Sequence, residues 1–532
     1  MFGDLVRALR SRRTAAVALL SFASGLPLGL VWFAIPDWMR DIGVDIRVVG
    51  LFSLAQAPWA FKVLWSPLMD RFVPPFWGRR RGWMVITQIA LLALGLLLAG
   101  VGHRPEAIWV VAAIALATGL ASASQDIAYD AYTVEVLEKD EQGAAVGVRV
   151  AFYRAAMALA GGLAITMAAR IGWPVVNIFL ALLYVPVLIV TWWAPEPAVP
   201  AAPPRSLRDA VWLPFLEMLS RPRALEILAF VVMYKIADQL SQALTRPFLI
   251  DMGYNADHRG IALATIGLAA TIVGSVVGGW ITTLAGLGHA LWIFGLLQIF
   301  SNIGYWAIAW VGSPNLPLMY SATSFELLTS GLGTGAFGVL LIRLTEKRFS
   351  ATQYALFSSL FALPRVLAGP IAGFAVDAIG WQAFYLSTLV VGIPGLVLLA
   401  RFVPPGTREP RFEASELVSQ RAVGSAASPS ELATWGIGFG ILAGVAGSLI
   451  VALMAALDAI RQKRGSAFDF SAAWSSLWHP ASIGDWLQLL SIVAFAAASG
   501  LVAVAALAAR RRHAPLTSPS EVLPDRAGRS SI

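Results

Sequence analysis

Long apolar stretches recur along this chain, parted by short polar turns that carry glycine, proline or arginine. A helix that crosses a bilayer needs about 20 largely apolar residues. Stretches of that length run over residues 15–39, 48–69, 83–102, 107–136, 144–170 and 175–193. Six more run over 224–250, 260–285, 290–311, 318–343, 352–377 and 383–403, and two follow at 435–458 and 485–509. The pattern predicts an all-α polytopic membrane protein of about 14 spans.

Polar segments set the expected boundaries. Residues 1–193 hold six spans, 194–223 a cytoplasmic linker, 224–403 six more spans, 404–434 a second linker, 435–509 two extra spans and 510–532 a cytoplasmic tail. The Pro-rich run Ala194–Pro204 reads as extended. Ser206–Ser220 reads as an amphipathic helix on the membrane surface, with Leu207, Val211, Phe215 and Leu219 against Arg208, Asp209 and Glu217.

Composition narrows the class. The 532 residues are 58% hydrophobic and 13% charged, too apolar for a soluble fold of this size. The absence of cysteine excludes disulfides, thiol catalysis and Cys-based zinc sites. Five histidines without ligand spacing predict no metal, and no cofactor is expected. The net charge of +8 is explained by arginines in loops rather than by a nucleic-acid partner. Arg71 and Arg79–Arg81, then Arg205, Arg208, Arg221 and Arg223, then Lys347 and Arg348, then Arg510–Arg512 fall on one side, with both termini cytoplasmic. Arg461, Lys463 and Arg464 disagree with that assignment. The first stretch follows Arg7, Arg10, Arg12 and Arg13 and lacks a clear cleavage site, so it reads as a retained span.

An internal repeat organises the array. Leu137-Glu138-Lys139 returns as Thr345-Glu346-Lys347, and Ile171-Gly172-Trp173 as Ile379-Gly380-Trp381, both about 208 residues on. Each six-span group also places an arginine, Arg154 or Arg365, in its fifth span before a run of small residues. Two parallel six-span halves joined by a long linker are the layout of major facilitator transporters.

Charges inside apolar stretches are the candidate chemistry. Each costs roughly 2.5–3.5 kcal/mol on an insertion scale, so a chain that keeps several is expected to face them into a wet cavity. Asp126 and Asp130 share one helix face. Two carboxylates there resist ionising together, which makes them proton-coupling candidates, with Asp126 the deeper; ion-paired structural roles are the alternative. Glu326, before Gly331, Gly333 and Gly335, is the other proton candidate. Lys235 and Asp238 are spaced to pair, as a permanent bridge or as a substrate-responsive clamp, with Gln239 and Gln242 extending their polar face. Lys62 is a candidate partner of the Asp126 and Asp130 carboxylates or of an anionic substrate, and snorkelling is its plain alternative. Arg154 and Arg365 are candidates to grip carboxylates, or else ties between helices. Trp32, Tyr129 and Tyr153 are candidate sugar platforms, though most of the 20 tryptophans are expected at membrane interfaces. Gln125 joins the substrate set through its place beside Asp126.

The segment Ser66 to Arg71, followed by Gly78-Arg79-Arg80-Arg81, resembles the major facilitator loop signature Gly-x-x-x-Asp-Arg-x-Gly-Arg-Arg. Ser66 replaces the first glycine, and extra residues separate Arg71 from Gly78. The resemblance implies a charge-paired cytoplasmic latch, carried first by Asp70 and Arg71 and then by Arg79 and Arg80.

Longer motifs are more specific. Phe22-Ala23-Ser24-Gly25-Leu26-Pro27, Phe61 to Arg71, Gly78 to Trp83, Ser122 to Ile127, Tyr234 to Asp238 and Phe349 to Gln353 resemble the anhydromuropeptide permease (AmpG) family. The extra pair of spans fits that family's layout. The resemblance implies a bacterial inner-membrane importer of N-acetylglucosaminyl-1,6-anhydro-N-acetylmuramic acid and its peptides. It implies proton symport, service to peptidoglycan recycling and, in some bacteria, β-lactamase induction; a monomer is expected. Other readings are the same fold with another amphipathic anion such as acetyl-coenzyme A, a membrane glycosyl transferase, or a non-transporting sensor. The repeat argues against the transferase.

Overall fold

The computed structural model describes residues 11–44, 52–101, 107–197, 203–219, 221, 223–410, 429–462 and 470–480, with scattered positions from 485 to 507. Every regular element among them is helical. Among the described residues, ten helices are long and apolar enough to cross a membrane: Arg12–Asp41, Arg79–Gly100, Ile108–Val136, Gln142–Ile171, Trp173–Trp193, Ala256–Ala285, Leu287–Val311, Leu316–Leu344, Ala375–Phe402 and Ser430–Leu449. Their outer faces carry large apolar side chains such as Leu97, Trp109, Val390 and Val397, as lipid contact requires.

Two expected spans are interrupted, and we keep the ordinals of the sequence reading for them. The second breaks into Phe52–Gln56, Ala57–Phe61, Lys62–Leu64 and Ser66–Arg71. Pro58 and Pro67 lie in the first turns of their short helices, where a missing N–H breaks no ladder. The seventh breaks into Ala224–Met233, Ile236–Ala243 and Thr245–Asp251. Its first break falls at Tyr234 and Lys235 without any proline. Both interruptions therefore coincide with an intramembrane lysine. Freed backbone groups at membrane depth are tolerated where protein or a wet cavity covers them. The eleventh and twelfth spans run as Ser350–Phe402 around a kink at Gly380.

The repeat seen in the sequence reappears in the backbone. Ile108–Val136 and Leu316–Leu344 are both 29 residues long and start 208 apart (108 against 316). At the same offset Gly78 and Gly286 open helices with φ of 74° and 90°, and Gly172 and Gly380 turn the chain with φ of 81° and 73°. L side chains resist that region, so glycine fits both pairs of turns.

The fifth span, Gln142–Ile171, is gripped on two sides. A Cβ at Gly25 of the first span would stand 2.2 Å from the Tyr153 carbonyl oxygen. One at Gly279 of the eighth, Ala256–Ala285, would stand 2.3 Å from that of Gly143. Small residues let these backbones touch, and that contact fixes where Arg149, Tyr153 and Arg154 stand.

A separate compact unit comprises residues 215–224 and 413–532. In it Pro429–Gln462 passes close to the following span, with Gly436 and Gly440 against Gly500 and Ala496. Of the sequence expectations, the linker core 411–428, Lys463, Arg464, much of 485–509 and the tail 510–532 lie outside the described residues. The expected linker helix is present as Leu207–Leu219.

Candidate functional site

The intramembrane charges form three clusters. In the first, Lys62 at the break of the second span donates from Nζ to Asp130 Oδ2 at 3.2 Å. The other oxygen of Asp130 takes the guanidinium of Arg149. Arg149 stacks over the Tyr129 ring at 4.7 Å and reaches the Tyr354 hydroxyl at 3.5 Å. The Tyr129 hydroxyl in turn donates to the Val17 carbonyl at 2.7 Å. Asp130 is thus held by two cations. Asp126, one turn away, is in no ion pair among the described residues, and its Oδ1 has no hydrogen-bond partner. The charges of Lys62, Asp130 and Arg149 act on it.

The second cluster repeats the motif with other residues. Lys235, 1% exposed, bonds Asp238 Oδ2 at 2.9 Å and Gln298 Oε1 at 2.6 Å. Gln242 donates to Glu326 Oε1 at 2.8 Å and lies 3.2 Å from Asp238 Oδ1, and the Ser330 hydroxyl donates to Asp238 Oδ2 at 3.1 Å. The Tyr305 hydroxyl stands 3.4 Å from Glu326 Oε2. Glu326 is fully buried and has no cation within ion-pair distance among the described residues. Each cluster therefore holds one carboxylate on a lysine and one carboxyl group without a cation.

The third cluster lies between the first six spans and the next six. Arg365 of the eleventh span is exposed from the protein interior and stands 5.2 Å over the Trp32 ring of the first span. Trp32 lies in a π-helical turn, Leu30–Ala34, and packs edge-on against Trp59 at 6.2 Å. Arg154 and Tyr153, half-buried on the fifth span, feel Arg365 electrostatically. Gln239 is also half-buried, with no side-chain partner among the described residues.

A fourth group joins the same two sets of spans near the Arg79–Arg81 end. Arg80 donates to Asp70 at 2.6 Å, Glu135 at 2.8 Å, the Ser350 hydroxyl at 2.8 Å and the Met69 carbonyl at 3.0 Å. Asp70 accepts from the Thr352 N–H at 2.8 Å and hydroxyl at 2.7 Å, and from the Ala351 N–H at 3.3 Å. It caps the helix that begins at Ser350, where free N–H groups and the helix dipole favour a carboxylate. Arg79 adds a 2.9 Å bridge to Glu135. At the repeat-related positions, Arg343 donates to Gln142 at 3.0 Å, the counterpart of Glu135 with Ser350.

The structure sorts the sequence candidates. Trp32, Tyr153, Arg154, Gln239 and Arg365 are brought together or left accessible. Lys62, Gln125, Lys235 and Asp238 are buried; Lys62 is paired with Asp130, and Lys235 gives its three donors to Asp238, Gln298 and the Ser330 carbonyl. Tyr129 is 1% exposed and braces Arg149, so it is not an open sugar platform. Arg71 does not join the latch: its guanidinium lies 5.8 Å from the Phe72 ring, and it has no ion pair among the described residues. Arg80 instead binds Asp70 and Ser350. The sequence reading missed Arg149, Glu135, Gln298 and Tyr354. Arg149 and Glu135 were visible as charges within apolar spans, but their partners lie on other spans.

Arg80→Ala is expected to lower the melting temperature in detergent strongly. It leaves Asp70 and Glu135 buried without their main cation, a loss of about 3–5 kcal/mol for such pairs. Arg71→Ala should leave the melting temperature unchanged; equal losses for the two variants would refute the assignment of the latch to Arg80.

Three comparisons bear on these clusters. The sequence profile of the Major Facilitator Superfamily matches residues 17–369. The anhydromuropeptide permease of Escherichia coli K12 is 43% identical over 405 residues, 75% of this chain and 81% of the relative. An uncharacterized protein of Haemophilus influenzae is 32% identical over 415 residues, 76% of this chain and 97% of the relative. Among solved structures, the proton:xylose symporter XylE bound to 6-bromo-6-deoxy-D-glucose superposes with a TM-score of 0.58. That match covers 76% of this chain and 99% of the symporter at 12% identity, and so speaks to the fold alone.

Proposed function

This chain belongs to the anhydromuropeptide permease family of the major facilitator superfamily, and on that premise we propose that it imports cell-wall-derived GlcNAc-1,6-anhydroMurNAc and its peptides by proton symport. Residues 1–193 and 224–403 act as two six-span halves that rock about a central site. The recurrence at 208 residues supports that reading, with its matching glycine turns and equal helices. The arginine-rich end is the cytoplasmic one by the positive-inside rule. The Arg80–Ser350 and Asp70–Thr352 contacts join the halves there, so the central site would open outward in this form. The cargo would enter the bacterial cytoplasm across the inner membrane and supply peptidoglycan recycling, and β-lactamase induction where the cell has that response.

The observation that carries the coupling is the contrast between Asp130, clasped by Lys62 and Arg149, and Asp126, in no ion pair. Asp130 is committed to two cations of the protein, and Asp126 has no such commitment among the described residues. Asp126 is then the exchanging group and Asp130 the tie that holds Arg149 against Tyr354 across the halves. Inward opening would require Arg149 to leave Tyr354 and Asp70 to leave Thr352.

The test is uptake of labelled GlcNAc-1,6-anhydroMurNAc by proteoliposomes with and without an inward proton gradient. The lactyl carboxylate makes this cargo an anion, so one coupled proton carries it with no net charge, and each unit of inward pH gradient supplies about 1.4 kcal/mol and sustains roughly tenfold accumulation. Accumulation that follows the gradient supports symport. Equal uptake in both conditions would overturn it, and no uptake by folded protein would overturn the cargo.

A further inference from the structure

In the clusters above, two guanidiniums stand unanswered among the described residues. Lys62, Arg79, Arg80, Arg149 and Lys235 each bind a carboxylate of the protein. Arg154 and Arg365 bind none among the described residues, and neither has a hydrogen-bond acceptor there. Arg154 feels Asp238, but Lys235, Gln242 and Ser330 already engage that carboxylate. Arg154 and Arg365 instead feel each other. Two like charges at membrane depth without a counter-ion are costly, and an anion between them would remove the cost. They stand on the fifth and eleventh spans, so that anion would join the two sets of spans. Arg365 rests on the Trp32 indole, a cation–π contact weaker than a carboxylate pair.

We propose that Arg154 and Arg365 together form a carboxylate subsite, and that seating a carboxylate there draws Arg365 off Trp32 and uncovers the indole for a sugar ring. The proposal rests on the functional reading above and refines it. One end of the cargo prepares the surface that the other end needs. A neutral sugar must displace Arg365 without help, whereas an acidic one supplies the better partner that releases it. Recognition of charge and ring then become one event, and both require the two sets of spans to be drawn together.

The experiment compares GlcNAc-1,6-anhydroMurNAc with the methylamide of its lactyl carboxylate, by binding and by proteoliposome uptake. Wild type should prefer the acid by roughly ten- to hundredfold, the range for hydrogen bonds to a charged group. Arg154→Gln and Arg365→Gln should lose that preference by weakening the acid alone. Arg365→Gln should bind the methylamide at least as well as wild type, because the indole is no longer covered; a merely structural arginine would weaken both compounds. Equal handling of acid and amide by wild type would overturn the subsite while leaving the permease reading intact. Retained acid preference in both variants would overturn it as well. Failure of wild type to bind either compound would overturn the permease reading and the subsite with it. If a variant fails to fold, the wild-type comparison alone still decides.

Discussion

Asp126→Asn is expected to abolish concentrative uptake while sparing exchange. With an inward pH gradient of about one unit, the accumulation ratio should fall from roughly tenfold to about one, the full span available to one proton coupled to an anionic cargo. Folding should survive, because Asp126 is in no ion pair among the described residues and asparagine keeps its shape. Counterflow of labelled against unlabelled disaccharide should persist, since exchange needs no net proton movement. Asp130→Asn should behave differently: it strands Lys62 and Arg149 together and should cost stability before coupling can be read. Gradient-driven accumulation that survives Asp126→Asn would move the coupling site elsewhere, with Glu326 next in line as the other carboxyl group without a cation.

Lys235→Met should be among the most destabilising single changes in the chain. It leaves Asp238, 3% exposed, without its cation in the membrane interior, a loss of about 3–5 kcal/mol for buried pairs. Removing both charges as Lys235→Met with Asp238→Asn should recover most of that loss, because the pair itself is close to break-even against neutral residues. The measurement is a double-mutant cycle of melting temperatures in detergent. Glu326→Gln is the control: Glu326 already lies among hydrogen-bonding groups rather than cations, and its substitution should be mild. Additive losses for Lys235 and Asp238 would mean that the bridge is not the unit of stability.

The array of spans was legible because lipid imposes a single rule on every crossing segment: satisfy the backbone internally over about 20 apolar residues. The repeat was legible for a related reason. Its turns need glycine at Gly172 and Gly380, and the sequence spells that need. The breaks at Lys62 and Lys235 were not legible, since an interrupted helix and a continuous one have the same apolar content. Pro58 and Pro67 hinted at the first of them; nothing marked the second.

The sequence by itself determined which side chains are chemically exceptional. A charge at membrane depth is costly wherever the helices lie, so Asp126, Asp130, Lys235, Asp238, Arg154, Glu326 and Arg365 stood out without a structure. What only the tertiary structure decided is which of them are already answered. Arg80 rather than Arg71 binds Asp70, Arg149 shares Asp130 with Lys62, and Arg154 and Arg365 are left without carboxylates among the described residues. Ion pairing depends on distances of a few ångströms between residues far apart in the chain. Close helix contacts such as Gly25 against Tyr153 and Gly279 against Gly143 set those distances, and no pattern along one strand of sequence encodes them.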